Sequence, residues 1–175
     1  MDESLTITEL DAAQAVAAIP DLAAVLADVV AGGASVNFMA GFGQAEAEAF
    51  YAKVADSVAS GEAVLLAARL DGRIVGTVQL GLDTPPNQPH RAEVRKMLVR
   101  RAARRRGVGA ALMTAVEDAA RARGRTLLVL DTVTDMDGER LYARMGWTRV
   151  GVIPDYALFP DGTPCSTTIF YKRLG

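Results

Sequence analysis

Arg104-Arg105-Arg106-Gly107-Val108-Gly109-Ala110 is the stretch whose reading decides the fold of this 175-residue chain. It follows a strand-like run from Ala92 to Val99 and opens a helix-like run that continues to about Arg123. Side chains are almost absent where strand meets helix, so backbone N–H groups lie open there. The first amides of a helix have no partner within it, and the helix dipole adds partial positive charge. Together they make a seat for a phosphate group. Three arginines beside it supply fixed positive charge. A phosphate-bearing cofactor is the economical reading, although the two glycines alone would also suit a plain tight turn.

Working outward, Leu112, Val116 and Ala119 mark the buried stripe of that helix, and Thr126 to Asp131 reads as the next strand. Strand, helix and strand form a βαβ unit. Upstream, Ala63 to Leu70, Asp71-Gly72 and Arg73 to Leu82 read as a hairpin, because Asp-Gly suits the positive φ angles of a type I′ turn. Asp83 to Gln88, with two prolines, is a loop. Further back, Gln44 to Val58 carries apolar residues at helical spacing, and Gly32-Gly33-Ala34-Ser35 is a loop. Ala12 to Ile19 and Asp21 to Ala31 are helical, broken or re-started at Pro20, and Leu5, Ile7 and Leu10 suggest a first strand. Downstream, Asp137 to Met145 is a short helix ended by Gly146. Trp147 to Ile153 and Thr167 to Tyr171 are two more strands joined by a turn-rich loop, with Trp147 in the core. This order predicts a mixed sheet with helices packed on it, in the α/β or α+β range, as one domain over 1–175.

The net charge of −2 argues against a general nucleic-acid binder. The charge is nonetheless uneven: Arg91 to Arg106 holds eight Lys or Arg and one acid, Glu93. Such clustering suits a local anionic ligand. A single cysteine, Cys165, excludes an internal disulfide and fits a reducing cytoplasm. The acidic start Met1-Asp2-Glu3-Ser4 does not read as a secretory signal. The apolar run Leu22 to Val30, interrupted by Asp28, is too short to span a membrane. With one histidine, His90, in a proline-bordered loop, a His/Cys metal site is not expected.

Element order and motif together resemble the GNAT superfamily of acyl-coenzyme A-dependent N-acetyltransferases. Its cofactor signature, Arg or Gln, two residues, Gly, one residue, then Gly or Ala, is met by Arg104 to Gly109. Leu141-Tyr142-Ala143-Arg144-Met145-Gly146-Trp147 adds to the likeness. The last third resembles the tabtoxin-resistance-like branch in Leu130-Asp131-Thr132, Tyr142, Gly151-Val152-Ile153-Pro154-Asp155-Tyr156 and Pro160-Asp161-Gly162. Gly33-Ala34-Ser35-Val36 fits the same branch. Asp135-Met136-Asp137-Gly138 departs from it, since relatives place alanine and other small residues there, and Gly138 costs the helix up to about 1 kcal/mol relative to Ala.

The resemblance implies a mostly antiparallel seven-stranded sheet flanked by about four helices, and acetyl-CoA as cosubstrate. It places the pyrophosphate on the amides of Arg106, Gly107, Val108, Gly109 and Ala110, with Arg104 and Arg105 adding charge. It implies that the pantetheine arm pairs with Met97-Leu98-Val99, that this strand splays from Thr126–Asp131, and that an N–H near Val99 faces the thioester oxygen.

An amine of lysine-like pKa is protonated at pH 7 and attacks only when neutral, so a base is needed. The resemblance offers Glu93 or Asp131, either acting through a water, with Asp131 preferred. The plain alternatives are a sheet-face salt bridge from Glu93 to Arg91 or Arg95, and a strand-end hydrogen bond at Asp131. Tyr142 matches the general-acid tyrosine that serves the leaving thiolate. Ser35, Val36, Asn37, Phe38 and Tyr156 are acceptor-pocket candidates by branch resemblance, with loop packing the alternative for Phe38 and Tyr156. The expected partner is a small amine, amino-acid-like or antibiotic-like, bound by a monomer or homodimer without nucleic acid or membrane.

Rival readings are weaker. Gly107-Val108-Gly109 begins a dinucleotide fingerprint, but Leu112 occupies the third glycine position. Arg100 to Arg106 lacks the interleaved aromatics of a nucleic-acid surface. A coenzyme A binder without catalysis would dispense with Asp131 and Tyr142, and both are present.

Overall fold

A computed structural model describes residues 4–175. The strands are β1 (Leu5–Leu10), β2 (Ala63–Leu70), β3 (Arg73–Gly81), β4 (Arg91–Val99), β5 (Leu127–Val133), β6 (Thr148–Leu158) and β7 (Pro164–Arg173). The helices are α1 (Ala12–Ala17), α2 (Ile19–Ala31), α3 (Gln44–Ala59), α4 (Val108–Arg121) and α5 (Asp137–Arg144), with a 3-10 turn at Arg101–Ala103. The strands form one seven-stranded sheet in the order β1-β2-β3-β4-β5-β7-β6. Only the β4–β5 pair is parallel.

Both faces of the sheet are covered, which explains why β2 reads as an unbroken apolar run rather than an alternation. On one face Leu22, Val25, Leu26 and Tyr51 of α2 and α3 pack against Leu65 and Ala67. On the other, Leu112, Met113 and Val116 of α4 pack against Leu66, Val78, Leu80 and Leu128. Asp71 (φ 48°) and Gly72 (φ 80°) both take the left-handed conformation that a type I′ hairpin requires. Among the described residues no helix is long and apolar enough to cross a membrane.

Several boundaries differ from those expected. Of the two readings at Pro20 the re-start holds: the proline lies in the first turn of α2, where its missing N–H costs nothing. The described helices number five, against the four or so that the resemblance implied. Gly107 caps α4 rather than starting it, and α4 ends at Arg121, not Arg123. β5 starts at Leu127 and continues to Val133. The expected long loop between the last two strands is mostly strand: β6 runs to Leu158, β7 starts at Pro164, and a short turn joins them. The register shifts between Ile153 and Ala157 absorb Pro154, so the strand survives the proline. Trp147 precedes β6 and is buried, its indole N–H donating to Glu117.

Candidate active site

β4 and β5 pair only at Arg91–Leu127, Ala92–Leu128 and Glu93–Val129. Beyond Val129, β5 keeps its partner β7 while β4 continues along β3. A gap therefore opens between the parallel strands. In the β3–β4 ladder Thr77 faces Leu98 and Gln79 faces Arg95, so Lys96 and Met97 together oppose Val78. This is a β-bulge, and Lys96 carries its strain at φ 49°. A cleft of about 1360 Å³ follows the gap. Its walls come from β4, β5, the first turn of α4, α5, the loop after α2, and β6.

The chain enters α4 through the bare glycine turn that the sequence suggests. Arg105 and Gly107 hold φ at 64° and 78°, which turns the chain sharply into α4. No side chain caps α4, and the first hydrogen bond within the helix is from Ala111 N–H to Gly107 O. The amides of Val108, Gly109 and Ala110 thus open on the cleft. The two glycines have different jobs. A Cβ on Gly107 would meet nothing, but its φ excludes most side chains. A Cβ on Gly109 would stand 3.1 Å from Leu141 Cδ2 and 3.7 Å from Met97 Sδ, so Gly109 lets α5 and β4 close on α4. Open amides, a left-handed cap and the Arg104 and Arg105 side chains fit a diphosphate. Arg106 lines a smaller hollow with Asp28, Arg73 and Arg100 instead.

Asp28 anchors this loop from α2. It accepts from the Arg101 N–H at 2.8 Å and from Arg101 Nε at 3.0 Å. Burial raises the pKa of Asp28, but the Arg101 N–H, its guanidinium and Arg100 outweigh that and hold the carboxyl below its ordinary value.

Asp131 and Tyr142 come together in the cleft. Asp131 accepts from Thr167 Oγ1 at 3.0 Å, across β5 and β7. Tyr142 is 6% exposed, with ring centroids 6.0 Å from Phe170 and 6.1 Å from Trp147. Burial first, and the Asp131 charge second, push its phenol well above the usual tyrosine range. Its proton therefore stays in place at neutral pH. Glu93 is engaged elsewhere: Arg95 Nε and Nη2 donate to one of its oxygens at 3.0 and 2.9 Å. Arg95 also pairs with Asp83 at 3.1 Å. Its guanidinium lies directly over Gly81, where a Cβ would approach within 2.6 Å.

Met97 and Val99 line the cleft, as does Leu98, whose side chain is otherwise buried. Ser35, Val36, Asn37 and Tyr156 also line the cleft. Ser35 Oγ donates to Leu158 O at 2.6 Å and Ala40 N–H to Pro160 O at 2.9 Å, tying the loop after α2 to the β6–β7 turn. Phe38 does not line the cleft; it stacks on Phe42 at 4.0 Å and meets Phe50 edge-on at 5.5 Å. Sequence reading did not single out Lys96 or Gln79. The one available signal was Arg95-Lys96, two adjacent charges that break the alternation of β4.

Residues 29–147 match the family model described as acetyltransferase (GNAT) family. An N-acetyltransferase from Staphylococcus aureus Mu50 superposes with a TM-score of 0.81 at 15% identity, over 98% of this chain and 99% of that one. A structure from Salmonella typhimurium described with its cofactor acetyl-CoA gives 0.78 at 17% identity, over 98% and 94%. A ribosomal-protein-alanine N-acetyltransferase from Brucella melitensis gives 0.76 at 21% identity, over 97% and 99%.

Proposed function

The chain belongs to the GNAT acetyltransferase family and uses acetyl-CoA as cosubstrate, and from that premise we propose that it acetylates the primary amine of a small amino-acid-like or antibiotic-like molecule by direct attack in a ternary complex. The observation that carries this reading is the meeting of three features on one cleft: the uncapped start of α4, Asp131 and Tyr142. When bound, acetyl-CoA supplies an activated acyl carbon, so that the new C–N bond forms as the C–S bond breaks and the thiolate leaves.

The amides of Val108 to Ala110 hold the diphosphate, and Arg104 and Arg105 add charge-assisted contacts. Met97-Leu98-Val99 offers the open strand edge along which the pantetheine arm lies. An N–H near Val99 donates to the acyl oxygen as charge develops. Asp131 removes the acceptor's proton through a water. It suits that role better than Glu93, whose carboxylate is committed to Arg95. Tyr142 donates its O–H to the leaving sulfur; a phenol pushed above its usual pKa acts mainly as a hydrogen-bond donor to thiolate. Ser35, Val36, Asn37 and Tyr156 bound the acceptor. The tabtoxin-resistance-like branch remains the reading of Gly151 to Tyr156 and Leu130-Asp131-Thr132, and the chain works as one cytoplasmic domain over 1–175.

A panel of primary amines assayed by thiol release tests the proposal. Acetylation of a small amine, with turnover lost in Asp131→Asn, is expected. Coenzyme A binding without thiol release from any amine would replace it with the non-catalytic reading.

A further inference from the structure

Two donors on the adjacent strands β3 and β4 line the cleft without a hydrogen-bond partner among the described residues. Lys96, in the strained bulge of β4, lines the cleft. Its ammonium makes no hydrogen bond and no contact ion pair among the described residues. Of the acids around it, Glu93 and Asp83 pair with Arg95, and Asp131 reaches it as a charge without contact. On the neighbouring strand Gln79 is 7% exposed, yet its Nε2 is buried without a partner. Gln79 faces Arg95, next to Lys96 in the chain, and lines the same cleft. A buried amide donor without an acceptor costs free energy that a ligand oxygen would recover. A half-buried ammonium is costly too, and burial lowers the pKa of Lys96 while the Asp131 charge partly opposes that.

From these placements we infer that the acceptor amine also bears a carboxylate, seated by Lys96 and Gln79. The cleft then presents an anion, Asp131, and a cation, Lys96, within electrostatic reach of each other. That arrangement complements an amino acid, whose ammonium and carboxylate are a few bonds apart. Arg95 is not the seat, because Glu93 and Asp83 already bracket its guanidinium.

The inference rests on the acetyltransferase reading, so its test carries two readouts. Common L-α-amino acids are each compared with their carboxamides, by thiol release and by calorimetric binding to the protein with coenzyme A in place. The carboxamide amine is less basic and more often neutral, so a preference for the acid cannot come from nucleophile supply. At least one acid is expected to exceed its carboxamide roughly ten- to hundredfold in kcat/KM, mainly through KM. Lys96→Met should erase that ratio and Lys96→Arg should keep most of it, with coenzyme A binding intact in both. Gln79→Leu should shrink the same ratio, which covers a failure of Lys96→Met to fold. Equal handling of acids and carboxamides in both readouts, or a preference that survives Lys96→Met, overturns the seat. Lys96-dependent binding of acids without thiol release would instead retain the seat and overturn the acetylation.

Discussion

Gly138 of α5 lies so close to Thr132 of β5 that a Cβ on it would stand 2.9 Å from Thr132 Oγ1. The same Cβ would be 3.5 Å from Tyr142 Cε2. Read alone, Gly138 is a weak residue in a short helix. In the fold it sets how near α5 approaches β5, and so where the tyrosine hydroxyl sits. Gly138→Ala gains up to about 1 kcal/mol of helix propensity. It must also push α5 off a β-branched side chain that has little room to turn. The expected outcome is a nearly unchanged melting temperature and a kcat lower by roughly ten- to hundredfold. Unaltered kcat in steady-state assays would mean that the spacing does not govern the chemistry.

Tyr142→Phe removes one oxygen from a site whose ring packing against Phe170 and Trp147 is otherwise kept. Turnover should fall by about two orders of magnitude or more, as for loss of a general acid. Coenzyme A affinity should hardly change, since the proposed phosphate seat lies on α4. Calorimetry beside kinetics separates the two.

Alkaline stability follows from the same burial. Burial raises the phenol of Tyr51, and burial together with the Asp131 charge raises that of Tyr142, both above the ordinary value of 10.0. The unfolded chain therefore releases these protons first. Their contribution to stability is complete below pH 10 and is lost as pH climbs from there towards the folded-state values. Thermal melts should show a falling Tm above about pH 10, and Tyr142→Phe should soften that fall. A Tm flat across that range in the wild-type protein would contradict the burial of both hydroxyls.

Asp28 reaches from α2 to hold the loop that precedes the phosphate seat. Asp28→Asn keeps the shape but removes the charge facing Arg101 and Arg100. Coenzyme A should bind several-fold more weakly, with kcat at saturation close to wild type. The pH dependence has the opposite sign from that of the tyrosines. The folded pKa lies below the ordinary carboxyl value of 3.8, so this stabilisation is present above that value and is lost as pH falls through the folded one. An Asp28→Asn protein with wild-type affinity for coenzyme A would show that the anchor is dispensable.

Glu117 of α4 is buried and accepts two hydrogen bonds of 2.8 Å from Lys172 of β7, and one of 3.1 Å from the Trp147 indole. Lys172 also donates to Met145 O at 2.8 Å, which fastens the end of α5. Glu117→Ala leaves the partly buried ammonium without its counter-charge and the indole N–H without its acceptor. A loss of about 3 kcal/mol is expected from denaturant melts. Paired replacement with Glu117→Met and Lys172→Met should recover much of it, because no lone charge is then left inside.

The elements that were legible from sequence are those whose cause is local. Asp71-Gly72 demands left-handed φ whatever surrounds it, and the structure has it there. Leu112, Val116 and Ala119 recur at helical spacing and are buried together. Gly107 and Gly109 open a helix after a strand, so the uncapped helix start could be located by residue number, although only packing shows that Gly109 serves Leu141 and Met97. What remained hidden depends on which strands meet. Asp131 and Tyr142 share a cleft because β7 takes the far edge of β5 and β4 peels away after Glu93. Glu93 had two readings until Arg95, seated on Gly81, was seen to claim it. A bulge is a mismatch of count between two strands, so no single strand's sequence announces it. The chain itself thus dictated its turns, its amphipathic stripes and the bare start of α4, through interactions a few residues long. Which side chains share the cleft with Asp131, Lys96 and Gln79 among them, was decided by tertiary pairing of segments far apart in the chain.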